Sequence, residues 1–122
     1  MRRNERGLSH TLEAAIILPA MMILLIGIIQ IGIYWHARNS AVAAAQVTAE
    51  LNRRHGAGVA GTEAGYRIIE RVGMRAPAIT VDRGPERVIV TVTGSAPTLV
   101  ELPGIGVIKE TATMPIERIT RP

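Results

Sequence analysis

Glu13 stands one position before twenty-two consecutive residues without a formal charge, Ala14 to Trp35, and six positions after Gly7. A carboxylate there is cheap at the depth of lipid headgroups, where Arg6 or lipid can neutralise it, and costs a few kcal/mol deeper in the apolar layer. Two roles are therefore open: a headgroup-level charge, or half of an ion pair with a cation on a neighbouring subunit once helices associate. The other candidates for chemistry are dispersed. His10, His36 and His55 are too far apart to share a metal on one helix, where neighbours on a face lie three or four residues apart. Ser9, Ser40 and Ser95 lack a strand-turn-helix elbow, and no glycine loop carries the Lys of a phosphate cradle. The carboxylates at 82 and 86, and at 110 and 117, read as solvated charges. No enzyme and no cofactor are expected. Tyr34, Trp35 and His36 close the apolar run and read as an interfacial belt, amphipathic rings at headgroup level.

The element that must hold Glu13 is a membrane span. Twenty-two helical residues at about 1.5 Å each reach roughly 33 Å, enough for a hydrocarbon core of roughly 30 Å. Arg2, Arg3 and Arg6 precede the run against Glu5 alone, which keeps the N-terminus cytoplasmic and sends the rest outside the cytoplasmic membrane. A cleaved secretory signal fits less well, because the core is long and Tyr34 to Ser40 separate it from the Ala-Val-Ala-Ala-Ala tract at 41–45. Pro19 lacks an amide donor and predicts a bend in the span. Gly27 and Gly32 are five apart and do not make a small-xxx-small packing face.

Composition limits what lies beyond. Residues 36–122 suffice for one small domain, with no Phe and no Cys in the chain, so the core must be aliphatic and unstapled. The net charge of +4 sets thirteen Arg and one Lys, spread from Arg2 to Arg121, against ten acids, without the clustered basic face or stacking aromatics of a nucleic-acid binder. Nucleic acid is not an expected partner; membrane lipid is.

The helix should continue past the membrane. The Ala-rich stretch from Arg38 to His55 has no Pro or Gly and meets Gly56, predicting one helix from about Ser9 to His55. Gly56, Gly58 and Gly61 then read as a flexible connection, and Thr62 as the cap of a short helix with Glu63 in its first turn and Tyr66, Ile69 and Val72 as its apolar stripe, up to Gly73. Ala78 to Asp82 and Arg87 to Thr93 read as a β-hairpin around Arg83-Gly84-Pro85-Glu86, and Val107 to Met114 as a third strand after a Pro- and Gly-rich loop at 95–106. In that strand Ile108, Ala112 and Met114 share a face on which Glu110 is the misfit. The expected organisation is a leader-like segment at 1–13, a transmembrane helix at 14–35, its extracytoplasmic continuation at 36–55 and a small exported domain at 56–122. A sheet of about three strands can bury one face, and the outer half of the long helix is the available cover. The class is α+β.

The segment Arg6-Gly7-Leu8-Ser9-His10-Thr11-Leu12-Glu13, followed by Ala14-Ala15-Ile16-Ile17-Leu18-Pro19, resembles the N-terminus of TadE-like pilus-assembly proteins, pilin-like proteins of the tight-adherence branch of type IV pilus systems. The likeness extends through Gln30 to Asn39 and the Ala-rich helix, and returns in Thr91 to Pro97 and Met114 to Arg118. It implies a pilin-like architecture and a non-enzymatic role in assembling or anchoring a pilus or related secretion machine, with other pilin-like subunits and an assembly platform as partners. It also implies a prepilin peptidase that cuts after a glycine, leaving a Glu at the fifth position. Here the implied cut is Gly7-Leu8, which puts Glu13 sixth; a cut at Leu8-Ser9 would put it fifth. The alternative reading is a signal-anchored exported binding or scaffold protein unrelated to pili.

Overall fold

The computed structural model describes residues 2–54 and 58–116, with α1 at Arg2–Arg53, α2 at Gly58–Arg71, β1 at Arg75–Arg83, β2 at Arg87–Ser95 and β3 at Val107–Pro115. Chain contacts divide it into two compact units, residues 1–32 and 33–122. The architecture is α+β as expected, with the strands in the order β1-β2-β3 and both pairings antiparallel. His55, Gly56 and Glu117, each given a role above, lie outside the described residues.

The first unit is the apolar part of α1. It has the length and composition of a membrane span, and Leu8, Ile16, Ile23, Leu24 and Ile31 are all more than half exposed. Helix begins at Arg2, so the leader-like segment is already helical, earlier than the expected start near Ser9. Nothing from Asn4 to Glu13 breaks it: there is no proline, and Glu5 in the first turn suits the positive end of the helix dipole. The helix also runs on through Pro19.

The second unit is built on a stripe of alanines. Ala37, Ala41, Ala44, Ala45 and Ala49, with Thr48 and Asn52, are buried, at the three- and four-residue spacing that puts them along one side of α1. Facing them is a sheet whose inner positions are Ile79 and Val81 on β1, the fully buried Val88, Val90 and Val92 on β2, and Ile108, Ala112 and Met114 on β3. The opposite face carries Thr80, Lys109, Thr111 and Thr113, all exposed. Because the pleat alternates, one register serves both faces. All three strands run slightly longer than their β-branched runs, and β1 reaches back to Arg75 through an irregularity between Arg75 and Ala78 that holds Ala76 at φ 45°.

The glycine-rich connection needs correcting. Gly58 and Gly61 belong to α2, so Thr62 is an interior residue rather than a cap. Glycines usually weaken a helix by about 1 kcal/mol each, but Gly61 and Gly65 sit four apart on the side of α2 that meets α1. A Cβ on Gly61 would come within 2.5 Å of Asn52 Nδ2 and 3.1 Å of the Leu51 Cβ. One on Gly65 would collide with Thr48 Oγ1 and come within 2.9 Å of Ile79 Cδ1. The small-xxx-small pattern sought in the span at Gly27 and Gly32 is thus present in α2, where it permits close helix packing. At the other end α2 stops as expected. Gly73, at φ 70°, donates to the Glu70 carbonyl at 3.0 Å and Met74 to that of Ile69 at 3.4 Å, closing a Schellman turn over the buried Ile69 and Met74.

Candidate functional site

In the first unit the candidate residues lie along one helix. Gly7 and Leu8 are exposed helical positions, and the Thr11 hydroxyl donates to the Gly7 carbonyl at 2.8 Å. A side chain at Gly7 would meet nothing within 4 Å, so its small size is not required by packing within this chain. Glu13 is exposed and its ion pair is with His10, one turn back, at 3.8 Å from Nδ1 to Oε2. That contact carries charge on both sides only when His10 is protonated. The open position of Glu13 leaves its carboxylate accessible to a cation from outside the chain.

The second unit starts with the expected belt residues. Tyr34 is half-buried against the core, Trp35 is half exposed and His36 is exposed. The Tyr34 and Trp35 rings meet edge to face, with centroids 6.3 Å apart at 75°, a favoured aromatic geometry. His36 accepts the Ser40 hydroxyl at its carbonyl, 3.0 Å away.

Arg38 joins this belt to the sheet. Its guanidinium carbon lies 5.1 Å from the centre of the Trp35 ring, and its Nε donates to Glu110 Oε1 at 2.8 Å. The contact explains the acid on the apolar face of β3: Glu110 points towards the helix because a cation on the helix receives it. The hydrogen bond, and then the attraction of the carboxylate, hold the Arg38 pKa above even its usual high value. Sequence reading missed Arg38, although two signals were present: the first cation after the span, and the only acid among the inward positions of β3.

A second tie fixes α2 to the sheet. The Ile79 amide, on edge strand β1, donates to the Tyr66 hydroxyl at 3.1 Å, so an edge donor is satisfied by the only aromatic beyond Trp35. Arg75 at the start of β1 reaches Glu101 in the β2–β3 loop at 2.8 Å. Among the described residues no three His, Cys, Asp or Glu side chains gather as a metal site. What the described arrangement offers is surfaces: an apolar helix, and a small domain clamped to the continuation of that helix.

Residues 9–50 match the family model described as TadE-like protein. The matched segment lies wholly inside α1 and contains Glu13, the apolar run, Tyr34, Trp35, His36, Arg38 and all five buried alanines of the stripe. No curated protein and no solved structure matches the chain. The match covers about a third of the chain, and the helix that carries it is long and apolar enough to cross a membrane.

Proposed function

We propose that this TadE-like chain is a non-enzymatic minor pilin or pilus-assembly component, held by one span with its N-terminus in the cytoplasm and residues 36–122 outside. The observation that carries the reading is the coincidence of the family match at 9–50 with an uninterrupted helix whose first half is apolar on all sides and whose second half is the backbone of a folded unit. Orientation rests on Arg2, Arg3 and Arg6 at the start of the chain. The protein acts by lateral packing of its span against other pilin-like subunits and by contacts of the sheet domain with the assembly platform.

Glu13 is assigned to an inter-subunit charge pair. Prepilin peptidase cleavage at Gly7-Leu8 or Leu8-Ser9 would create an α-amine within two turns of it, and that amine on one subunit can meet Glu13 on the next. The scissile region is helical, so cutting requires its first turns to open, which is cheap at a helix terminus. Pro19 is assigned to bending the span inside the membrane, and the Tyr34-Trp35-His36 belt to fixing its depth.

The test is genetic. Deleting the gene should abolish surface pili and adhesion; the native chain should restore them, and E13Q should restore them poorly while reaching the membrane in normal amount. Full piliation without the gene would instead favour a signal-anchored scaffold unrelated to pili. Sequencing the mature N-terminus decides the processing step: a chain retaining Met1 in cells with an active peptidase would remove it.

A further inference from the structure

Five large apolar side chains lie in and beside the β2–β3 loop: Leu99, Val100, Leu102, Ile105 and Val107 are each more than half exposed. Isolated apolar residues on a surface need no explanation, but a contiguous group marks a contact. The loop is built to present them. Leu102-Pro103-Gly104-Ile105 has proline second, glycine third at φ 79°, and an Ile105 amide to Leu102 carbonyl bond of 3.3 Å, the form of a type II turn. Its root is closed by the Ala96 amide donating to the Gly106 carbonyl at 2.8 Å and by the buried Ala96 and Ile108. Between Ser95 and Val107 the only charge is Glu101, already paired with Arg75.

The position of the loop says what covers it. Glu110 on β3 meets Arg38, whereas Met114, four residues on, lies beside Val47 and Leu51. So β3 runs along α1 away from Tyr34 and Trp35, and the loop that precedes it lies at their end. Val107 is three residues before Glu110, about 10 Å further in that direction at roughly 3.3 Å per residue. α2 gives the same answer independently. Gly61 packs at Leu51 and Asn52, and Gly65 at Ala44 and Thr48, so α2 descends antiparallel to α1. Its end at Gly73 approaches Pro97, at the start of the loop. The aromatic belt and the apolar loop are therefore at one end of this unit, the end at which the chain emerges from its apolar run. Arg38, Arg71, Arg75 and Lys109 stand towards the same end against Glu70, Glu101 and Glu110, and with Arg38 paired to Glu110 and Arg75 to Glu101 the small excess is positive, which suits anionic headgroups.

We infer that the 99–107 loop is a second membrane contact, inserting Leu102 and Ile105 into the outer interface of the same bilayer that α1 spans. The occupant is lipid, because the patch lies at the same end of the unit as Tyr34 and Trp35, the pair assigned above to the level where headgroups meet acyl chains. With the loop seated, the sheet domain is held to the bilayer at a second point.

This inference rests on the membrane reading above, and the test separates the two. The chain has no cysteine, so single cysteines can carry an environment-sensitive nitrobenzoxadiazole probe in the full-length protein, reconstituted in phosphatidylcholine–phosphatidylglycerol vesicles. L102C and I105C are expected to emit to the blue and to be quenched by doxyl-labelled lipid to about half the extent of L24C in the span, at every protein-to-lipid ratio. T111C, on the exposed sheet face, should be quenched by aqueous iodide and not by doxyl lipid. The inference is overturned if both loop probes behave like T111C while L24C is quenched by lipid, or if their shielding appears only at high protein-to-lipid ratio, which would make a second copy of the chain the occupant. Loss of doxyl quenching at L24C as well would overturn the membrane reading and this inference together.

Discussion

The two halves of α1 are one helix with opposite solutions to the same problem. Before Gly32 it displays leucine, isoleucine and methionine on all sides, and they stay exposed; from Ala37 to Asn52 it concentrates alanines on one side, and they are buried. Large apolar side chains suit a partner that conforms to them, such as lipid, whereas alanines suit a rigid partner that must come close. Burying them against a valine sheet and a glycine-bearing helix stabilises by closeness of packing more than by area, since each alanine removes little surface from water.

The contrast can be broken most severely in the first half. L24R places a charge near the middle of the run, costing about 3 kcal/mol on insertion scales; the chain should shift from the membrane to the soluble or aggregated fraction on carbonate extraction. In the second half the damage should be to folding and not to insertion. G65L forces a side chain into Thr48 and Ile79, and overpacking of this kind costs about 1–3 kcal/mol. Limited proteolysis of the detergent-solubilised full chain should show residues 36–122 cut faster, with membrane fractionation unchanged. G27A is the matched control, since a side chain there meets nothing; proteolysis should be unaffected.

The smallest effect is expected at the joint. Arg38 and Glu110 are partly exposed, and such pairs contribute little and weaken with salt. E110Q should lower the unfolding temperature slightly, less so in high salt, and R38K should lose the contact with Trp35 while keeping the charge. The sign for Arg38 follows from its raised pKa. Its stabilisation is fully present below the unfolded value and lost only as pH rises through the still higher folded value, so no alkaline loss from this residue is expected in the working pH range. Loss of stability between pH 7 and 10 in the native chain but not in R38A would contradict that assignment.

Where local pattern and packing agreed, the elements were readable in advance. Val88, Val90 and Val92 alternate cleanly, the charge-free run is long, and Gly73 ends α2 as a glycine should. The misreadings came where a residue's usual local meaning was overruled by a distant partner. Gly61 read as part of a break because the closeness of Leu51 and Asn52 is not written in the sequence near it. Thr62 looked like a cap for the same reason. Glu110 looked misplaced until Arg38, seventy-two residues earlier, supplied its counter-charge. Glu13 was legible as a residue needing explanation; within the chain its carboxylate meets His10, and the pairing with a neighbouring subunit is the proposal made above.

The central claim is that α1 spans the membrane once, with the domain outside. In cells carrying the full chain with a tag at the C-terminus, fractionation and protease treatment of spheroplasts test it together. The account predicts a carbonate-resistant chain whose tag is lost to external protease while a fragment covering the N-terminus and span remains in the membrane. A tag protected from protease unless the membrane is opened, or a chain recovered in the soluble fraction, would contradict it.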